Sequence, residues 1–349
     1  MKELPLLGLM LGDHTGIGAE QCARVLADGR LADAARLLVI GDSRSLDQGA
    51  RDAGVELAWR SYASPEAVDW SAPQVPLIDL GNLDPSRIRR GAVSAESGRV
   101  AGETLKRMIE LALEGRLDGI TFAPLNKAAL HAGGWLFNDE HQMFASLTRH
   151  QGFFGEMNVL DDLWTSRVTS HVSLRTALDQ ITGERIDAAL TLADRTMRGA
   201  GFDAPRIAVC ALNPHGGEGG LFGREEIDVI APAVAKAAQR GIGCKGPFPS
   251  DTVFLKAFNG EFDGVLSMYH DQGQIATKLR GFNRGVTVTA GLETVFATPA
   301  PGTAFDIVGQ GVATTGALEH AVRLCARLAA SRRNSDSAMR RPVSASAHS

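Results

Sequence analysis

Cysteine is scarce in this chain. Its four cysteines, Cys22, Cys210, Cys244 and Cys325, are scattered. They form no CxxC pair and no zinc-type spacing, so reduced thiols in a cytoplasmic protein are expected. Aromatic residues make up only 6% of the sequence, with two Tyr and four Trp, which argues against a base-stacking surface. Positive charge is not in excess. A net charge of −4 offers no electrostatic case for nucleic acid or an anionic membrane as partner. Long apolar runs are missing too, and the opening MKELPLLGLMLGD turns polar and glycine-rich too early for a secretory signal. What remains is 349 residues with 44% hydrophobic and 22% charged content. That is an ordinary α/β-type globular composition, long enough for two domains.

The first apolar run, Leu6 to Leu11, ends in Gly12-Asp13-His14-Thr15-Gly16-Ile17-Gly18. A helical pattern with Cys22, Val25 and Leu26 on one face follows, then a second strand from Ala35 to Asp42. This is a βαβ opening. Gly16 and Gly18 permit close backbone approach, and the helix N-terminus behind them would favour an anion. Gly12, Asp13, Gly16 and Gly18 are therefore candidate nucleotide contacts. The loop is not GxGxxG, and a tight turn without any ligand would explain it as well. Residues 55–80 read as irregular, broken by Pro65, Pro73 and Pro76. A helix is expected over Ser94 to Glu114, and a strand over DGITFAP with Pro124-Leu125-Asn126-Lys127 at its exit. Residues 331–349 carry almost no apolar content and read as a disordered tail.

Three later segments share one design. SRVTS leads to His171, RIAVCALNP to His215, and VLSMY to His270, each a short β-rich run with an imidazole just past its exit. A single such His is usually structural. In a parallel sheet, however, strand exits face one edge, so three imidazoles can converge and hold a divalent metal. They could equally be contributed by two subunits. Asp271 and Asp251 are available to orient the ligands. Lys278 could hold an anionic group or move a proton, although a solvated helix lysine is the commoner fate. The block Leu212 to Glu226 holds five glycines, which favours a ligand-contacting loop over a plain hairpin.

The ordered blocks GDHTGIGAE, APLNK, DEHQMF, LNPHGGEGGLFGREEID, GPFPSDTVF, MYHDQGQIATKL and PGTAFDIVGQG resemble the 4-hydroxythreonine-4-phosphate dehydrogenase (PdxA) family from about residue 6 to 330. The resemblance implies two α/β/α domains with a cleft between them, like isocitrate and isopropylmalate dehydrogenases. Domain 1 would span residues 1–130 plus 300–330, and domain 2 residues 131–299. It also implies a homodimer whose divalent metal (Zn, Mg, Mn or Co) is held by His171, His215 and His270 from both subunits. NAD or NADP would accept the hydride without a Rossmann fingerprint.

The family's substrate contacts fall on His141, Gln142, Lys278, Thr287 and Phe296. His141 and Lys278 keep the family's residue. Gln142, Thr287 and Phe296 replace its threonine, asparagine and arginine. Phe cannot grip a phosphate as a bidentate arginine does. The resemblance so modified points to a carboxylated cis-dihydrodiol such as terephthalate dihydrodiol. The alternatives are the 4-hydroxythreonine 4-phosphate reaction of pyridoxal phosphate biosynthesis, or oxidation of a phosphorylated threonate or erythronate. The expected chemistry is oxidation of a secondary alcohol near a carboxylate, then decarboxylation. Lys278 would anchor substrate or transfer a proton, and Asp271 and Asp251 would assist the metal ligands.

Overall fold

The computed structural model describes residues 4–281 and 284–339. All twelve strands of the described residues lie in one sheet. In chain order they are β1 (Leu6–Met10), β2 (Arg36–Gly41), β3 (Trp59–Ser61), β4 (Val75–Asp79), β5 (Gly119–Phe122) and β6 (Gly155–Leu160), then β7 (Leu163–Arg167), β8 (Ile207–Cys210), β9 (Cys244–Phe248), β10 (Gly264–Ser267), β11 (Val286–Ala290) and β12 (Val295–Pro299). Their spatial order is β3-β4-β2-β1-β5-β12-β11-β6-β7-β10-β8-β9.

The first six in that order are mutually parallel, as are the last four. Between them β11 and β6 pair antiparallel with each other and with their outer neighbours. Two parallel halves of opposite direction are thus welded through an antiparallel seam. β12 falls within residues 131–299, yet it hydrogen-bonds to β5 on one side and β11 on the other. The sheet is continuous there.

The helices are α1 (Gly18–Asp28), α2 (Ser43–Ala53), α3 (Ala95–Leu113), α4 (Lys127–Ala132), α5 (Glu140–Leu147) and α6 (Leu174–Gln180), followed by α7 (Gly183–Gly199), α8 (Ala231–Gln239), α9 (Ser250–Phe258), α10 (His270–Gly281) and α11 (Gly316–Met339). They cover both faces of the sheet, and β1, β5, β7, β8, β10 and β11 are buried almost throughout, as expected of strands covered on both sides. Helix α3 forms where its 3.6-residue apolar period predicts. Ser94 accepts a hydrogen bond from Ser97 N at 3.3 Å and caps its start, while Val100, Leu105, Met108 and Ile109 are buried. None of the described helices is long and apolar enough to cross a membrane.

Two expectations change. Residues 55–80 carry β3 and β4. A three-residue strand has no period to read, and Pro76 stands just before Leu77, the first residue of β4 paired with β2. Residues 331–339 continue α11 as helix, because Leu318, Val322, Cys325 and Leu328 anchor that helix in the core. Residues 340–349 lie outside the described residues.

Candidate active site

The site is built on the seam. Strand alternation places Glu156 and Asn158 of β6, Thr165 and Arg167 of β7, Thr287 and Thr289 of β11, and Phe296 and Thr298 of β12 on one sheet face. The cross-strand register joins them: Glu156 with Thr289, Asn158 with Thr287 and Thr165, Thr289 with Phe296, and Thr287 with Thr298. Met157, Val159, Val286 and Val288 point to the other face and join the core. A cavity of about 460 Å³ lies over the polar face, lined by Glu156, Asn158 and Thr287, by His171 and His270, and by Gln274 and Lys278 of α10.

The seam residues form a closed polar network. Arg167 pairs with Glu156 at 2.5 Å and donates to Asn158 Oδ1 at 3.0 Å and Ser170 Oγ at 2.9 Å. Asn158 donates to Glu156 (2.9 Å) and Thr287 Oγ1 (3.0 Å), and accepts from Gln274 (2.6 Å). His141, buried on α5, meets Thr289 Oγ1 at 2.6 Å through Nδ1, and its Nε2 lies 3.4 Å from Glu156. Burial disfavours the imidazolium, but the Glu156 carboxylate outweighs it, so the His141 pKa is raised. Burial likewise opposes the Glu156 charge. The His141 contact and the Arg167 guanidinium overcome it and hold that carboxyl well below its usual range. Glu156 and Arg167 were not expected as site residues. Their trace in the sequence is the polar alternation in GEMNVL and LWTSR.

The three strand-exit histidines are only partly united. Strands β7, β10 and β8 are adjacent and parallel, so their exits share an edge. The rings of His171 and His270 are 5.5 Å apart, centroid to centroid. His171 Nδ1 meets Asp139 Oδ2 at 2.5 Å and His270 Nδ1 meets Asp271 Oδ1 at 2.7 Å. Each contact leaves Nε2 as the outward nitrogen, the usual arrangement behind a metal-ligating His. His215 stands apart, its ring 6.2 Å from Phe222. Among the described residues no three His, Cys, Asp or Glu side chains are grouped to hold a metal.

His215 opens a left-handed turn in which residues 215–219 all have φ between 43° and 79°. Left-handed backbone costs a non-glycine residue roughly 1–2 kcal/mol, which explains glycine at three of these five positions. Glu226 pins the turn by accepting from Leu212 N and Asn213 N, both at 2.7 Å. His171, at φ 28°, is a second positive-φ histidine. Such outliers gather at functional sites.

Several expected residues have other roles. Asp271 does orient a candidate ligand, whereas Asp251 is exposed in the first turn of α9 and bonds none of the three histidines. The carboxylate behind His171 is Asp139, whose other oxygen caps α5 by accepting from Gln142 N at 2.8 Å. The stretch His270–Gly273 forms the first turn of α10. In it Gln272 braces the strand exits, accepting from Met268 N (2.7 Å) and donating to Ala211 O (2.7 Å) and Ser250 Oγ (2.8 Å). Lys278 and Thr287 line the 460 Å³ cavity, while His141 and Gln142 line a neighbouring one.

Phe296 lines neither. It is 1% exposed and stacks on Phe144, with ring centroids 4.3 Å apart and planes at 5°. It is core beside the cavity, on the same sheet face, rather than a wall of it. The Gly12–Gly18 loop is buried, and its glycines are explained by protein contacts. A Cβ on Gly12 would sit 2.6 Å from Pro124 O, one on Gly16 2.8 Å from Thr303 Cβ, and one on Gly18 2.3 Å from Leu11 O. Asp13 Oδ1 accepts from Thr15 N, Thr15 Oγ1 and Ser97 Oγ. None of Gly12, Asp13, Gly16 and Gly18 lines either cavity.

A large mixed sheet with a polar cavity at its seam places the chain among α/β proteins, and solved structural relatives at 25% identity or more are dehydrogenases. More closely, the family model described as pyridoxal phosphate biosynthetic protein PdxA matches residues 33–325, and the chain belongs to that family. A relative from Pseudomonas aeruginosa, described as putative 4-hydroxythreonine-4-phosphate dehydrogenase 2, is 47% identical over 93% of this chain and 97% of its own length. The crystal structure of 4-hydroxythreonine-4-phosphate dehydrogenase from Klebsiella pneumoniae superposes with a TM-score of 0.80 at 37% identity, covering 94% of this chain and 99% of that one. A terephthalate 1,2-cis-dihydrodiol dehydrogenase from Burkholderia xenovorans is more distant, with a TM-score of 0.65 at 25% identity over 93% and 98% of the two chains.

Proposed function

We propose that this protein is an NAD(P)-linked dehydrogenase oxidising the secondary alcohol of a phosphorylated hydroxy acid. This replaces the dihydrodiol as the leading substrate. Both the P. aeruginosa relative and the K. pneumoniae structure bear names with a phosphorylated substrate at higher identity than the dihydrodiol enzyme. The physical ground for an apolar substrate also falls away, since Phe296 packs in the core instead of facing substrate.

The observation that carries the reading is the His171–His270 pair with carboxylate-held Nδ1 atoms, opening on the cavity that holds Lys278. Two oriented imidazoles suit a divalent cation, with His215 as third donor supplied across the interface of two copies. Exposed apolar side chains near these elements, Leu174 and Leu178 on α6 and Ile275 and Leu279 on α10, are what a second copy would cover. When bound, the cation would polarise the substrate hydroxyl and the nicotinamide would accept the hydride.

The chain's own groups do the rest. Lys278 anchors the substrate or takes the hydroxyl proton. Gln274 and Thr287, held by Asn158, offer hydrogen bonds at the sheet face. The product ketone lies β to a carboxylate and can lose carbon dioxide without further oxidant.

The test is NAD(P)H formation by purified protein on 4-phosphohydroxythreonine, threonate 4-phosphate, erythronate 4-phosphate and a carboxylated cis-dihydrodiol, with and without chelator. Metal-dependent turnover of a phosphorylated acid is expected. Turnover of the dihydrodiol alone, or undiminished turnover in chelator, would overturn the proposal.

A further inference from the structure

Beside the main cavity lies a second one of about 370 Å³, and the two meet at His171 and Glu156, which line both. Its wall includes His141, Gln142, Ser170, Gln180 and Arg185. Arg185, near the start of α7, is fixed at one end. Its Nε donates to Val168 O at 2.8 Å, and its guanidinium lies over the Phe153 ring at 5.5 Å. Its two terminal nitrogens have no hydrogen-bond or ion-pair partner among the described residues, and they are not sealed from solvent.

The carboxylates nearby are already matched. Asp139 is held by His171 and the Gln142 N–H, and Glu156 by Arg167 and His141. Ser170 Oγ accepts from Arg167 Nε, which leaves its own proton to donate. A pre-positioned guanidinium fork beside a hydroxyl donor, with neighbouring negative charge neutralised, is a receptor for a tetrahedral oxyanion.

We infer that this second cavity is the phosphate compartment of the substrate site and that Arg185 is its anchor. The inference rests on the phosphorylated substrate proposed above. It supplies a cation that position 296 lacks, because Phe296 is neither charged nor in the cavity. It also sets the direction of the substrate. The phosphate lies on the Arg185 side of His171, and the hydroxy-acid end faces Lys278.

The test compares Arg185→Gln and Arg185→Lys with wild type on a phosphorylated acid and on its dephosphorylated form, and measures inorganic phosphate binding by calorimetry. A charge-assisted contact of this kind corresponds to about tenfold or more in affinity. Arg185→Gln should therefore raise KM for the phosphorylated acid by that factor with kcat little changed. It should leave the dephosphorylated acid unaffected and weaken phosphate binding in parallel, while Arg185→Lys recovers part of the loss. Equal losses on both substrates, or an unchanged KM ratio, would overturn the inference. If wild type turns over no phosphorylated acid, the preceding proposal fails by itself. Phosphate affinity then still decides Arg185, since equal affinity in wild type and Arg185→Gln refutes the compartment.

Discussion

Replacing Arg167 with Leu is the sharpest probe of the seam. The change removes the guanidinium from a buried pair whose side chains are 4% (Arg167) and 12% (Glu156) exposed. Breaking a buried pair from one side costs about 3–5 kcal/mol, because the remaining charge loses its partner. Glu156 keeps contacts with Asn158 and His141, which puts the expectation near the lower limit, about 3 kcal/mol. The assay is urea unfolding of Arg167→Leu, Glu156→Gln and the double variant. The double variant should be less destabilised than the sum of the two, since neither charge is then stranded.

Linkage gives a second readout of the same pair. Glu156 has its pKa depressed in the folded state, so its contribution is present above the ordinary value of 4.5 and is lost as pH falls through the folded value. His141 has its pKa raised, so its contribution is complete below the ordinary value of 6.5 and is lost as pH rises through the folded value. Their joint contribution is therefore largest between pH 4.5 and 6.5. In wild type it should fade on either side. In Glu156→Gln the acid-side fade should vanish and the alkaline-side fade should weaken, since burial then opposes the His141 charge with only Glu140 and Asp139 against it. A loss under about 1 kcal/mol for Arg167→Leu, or strict additivity, would refute the account of Glu156 and Arg167 as a coupled buried pair.

Two further outcomes test neighbouring parts of the structure. Asp139→Asn keeps a competent cap for α5 but loses the carboxylate behind His171; unfolding should change little while divalent-metal affinity drops roughly 10–100-fold, as titration calorimetry would read. Phe296→Ala opens a void under Phe144 and should cost about 3–5 kcal/mol in stability, with KM for substrate little moved at temperatures where the variant stays folded.

Much of the secondary structure was legible because its signals are local. The period of α3 and its Ser94 cap, the βαβ opening, and the exits of β7, β8 and β10 all follow from apolar spacing and turn chemistry. So does the shared strand-exit placement of His171, His215 and His270, although the structure brings only His171 and His270 together. The short strands β3 and β4, and the continuation of α11 to Met339, were not legible. Three- to five-residue strands and a polar helix end take their stability from neighbours distant in sequence.

The residues of this chain alone determined an α/β fold, a family and a set of strand-exit imidazoles. Those depend on period, composition and motif order, which are properties of the linear chain. Tertiary structure alone decided that Phe296 packs on Phe144 beside the site, that Asp139 and not Asp251 stands behind a histidine, and that Arg185 opens into a cavity. Each of these depends on which face of a strand or helix meets which neighbour; for Phe296 the register of the β6–β11–β12 seam sets it, joining strands more than a hundred residues apart in the chain.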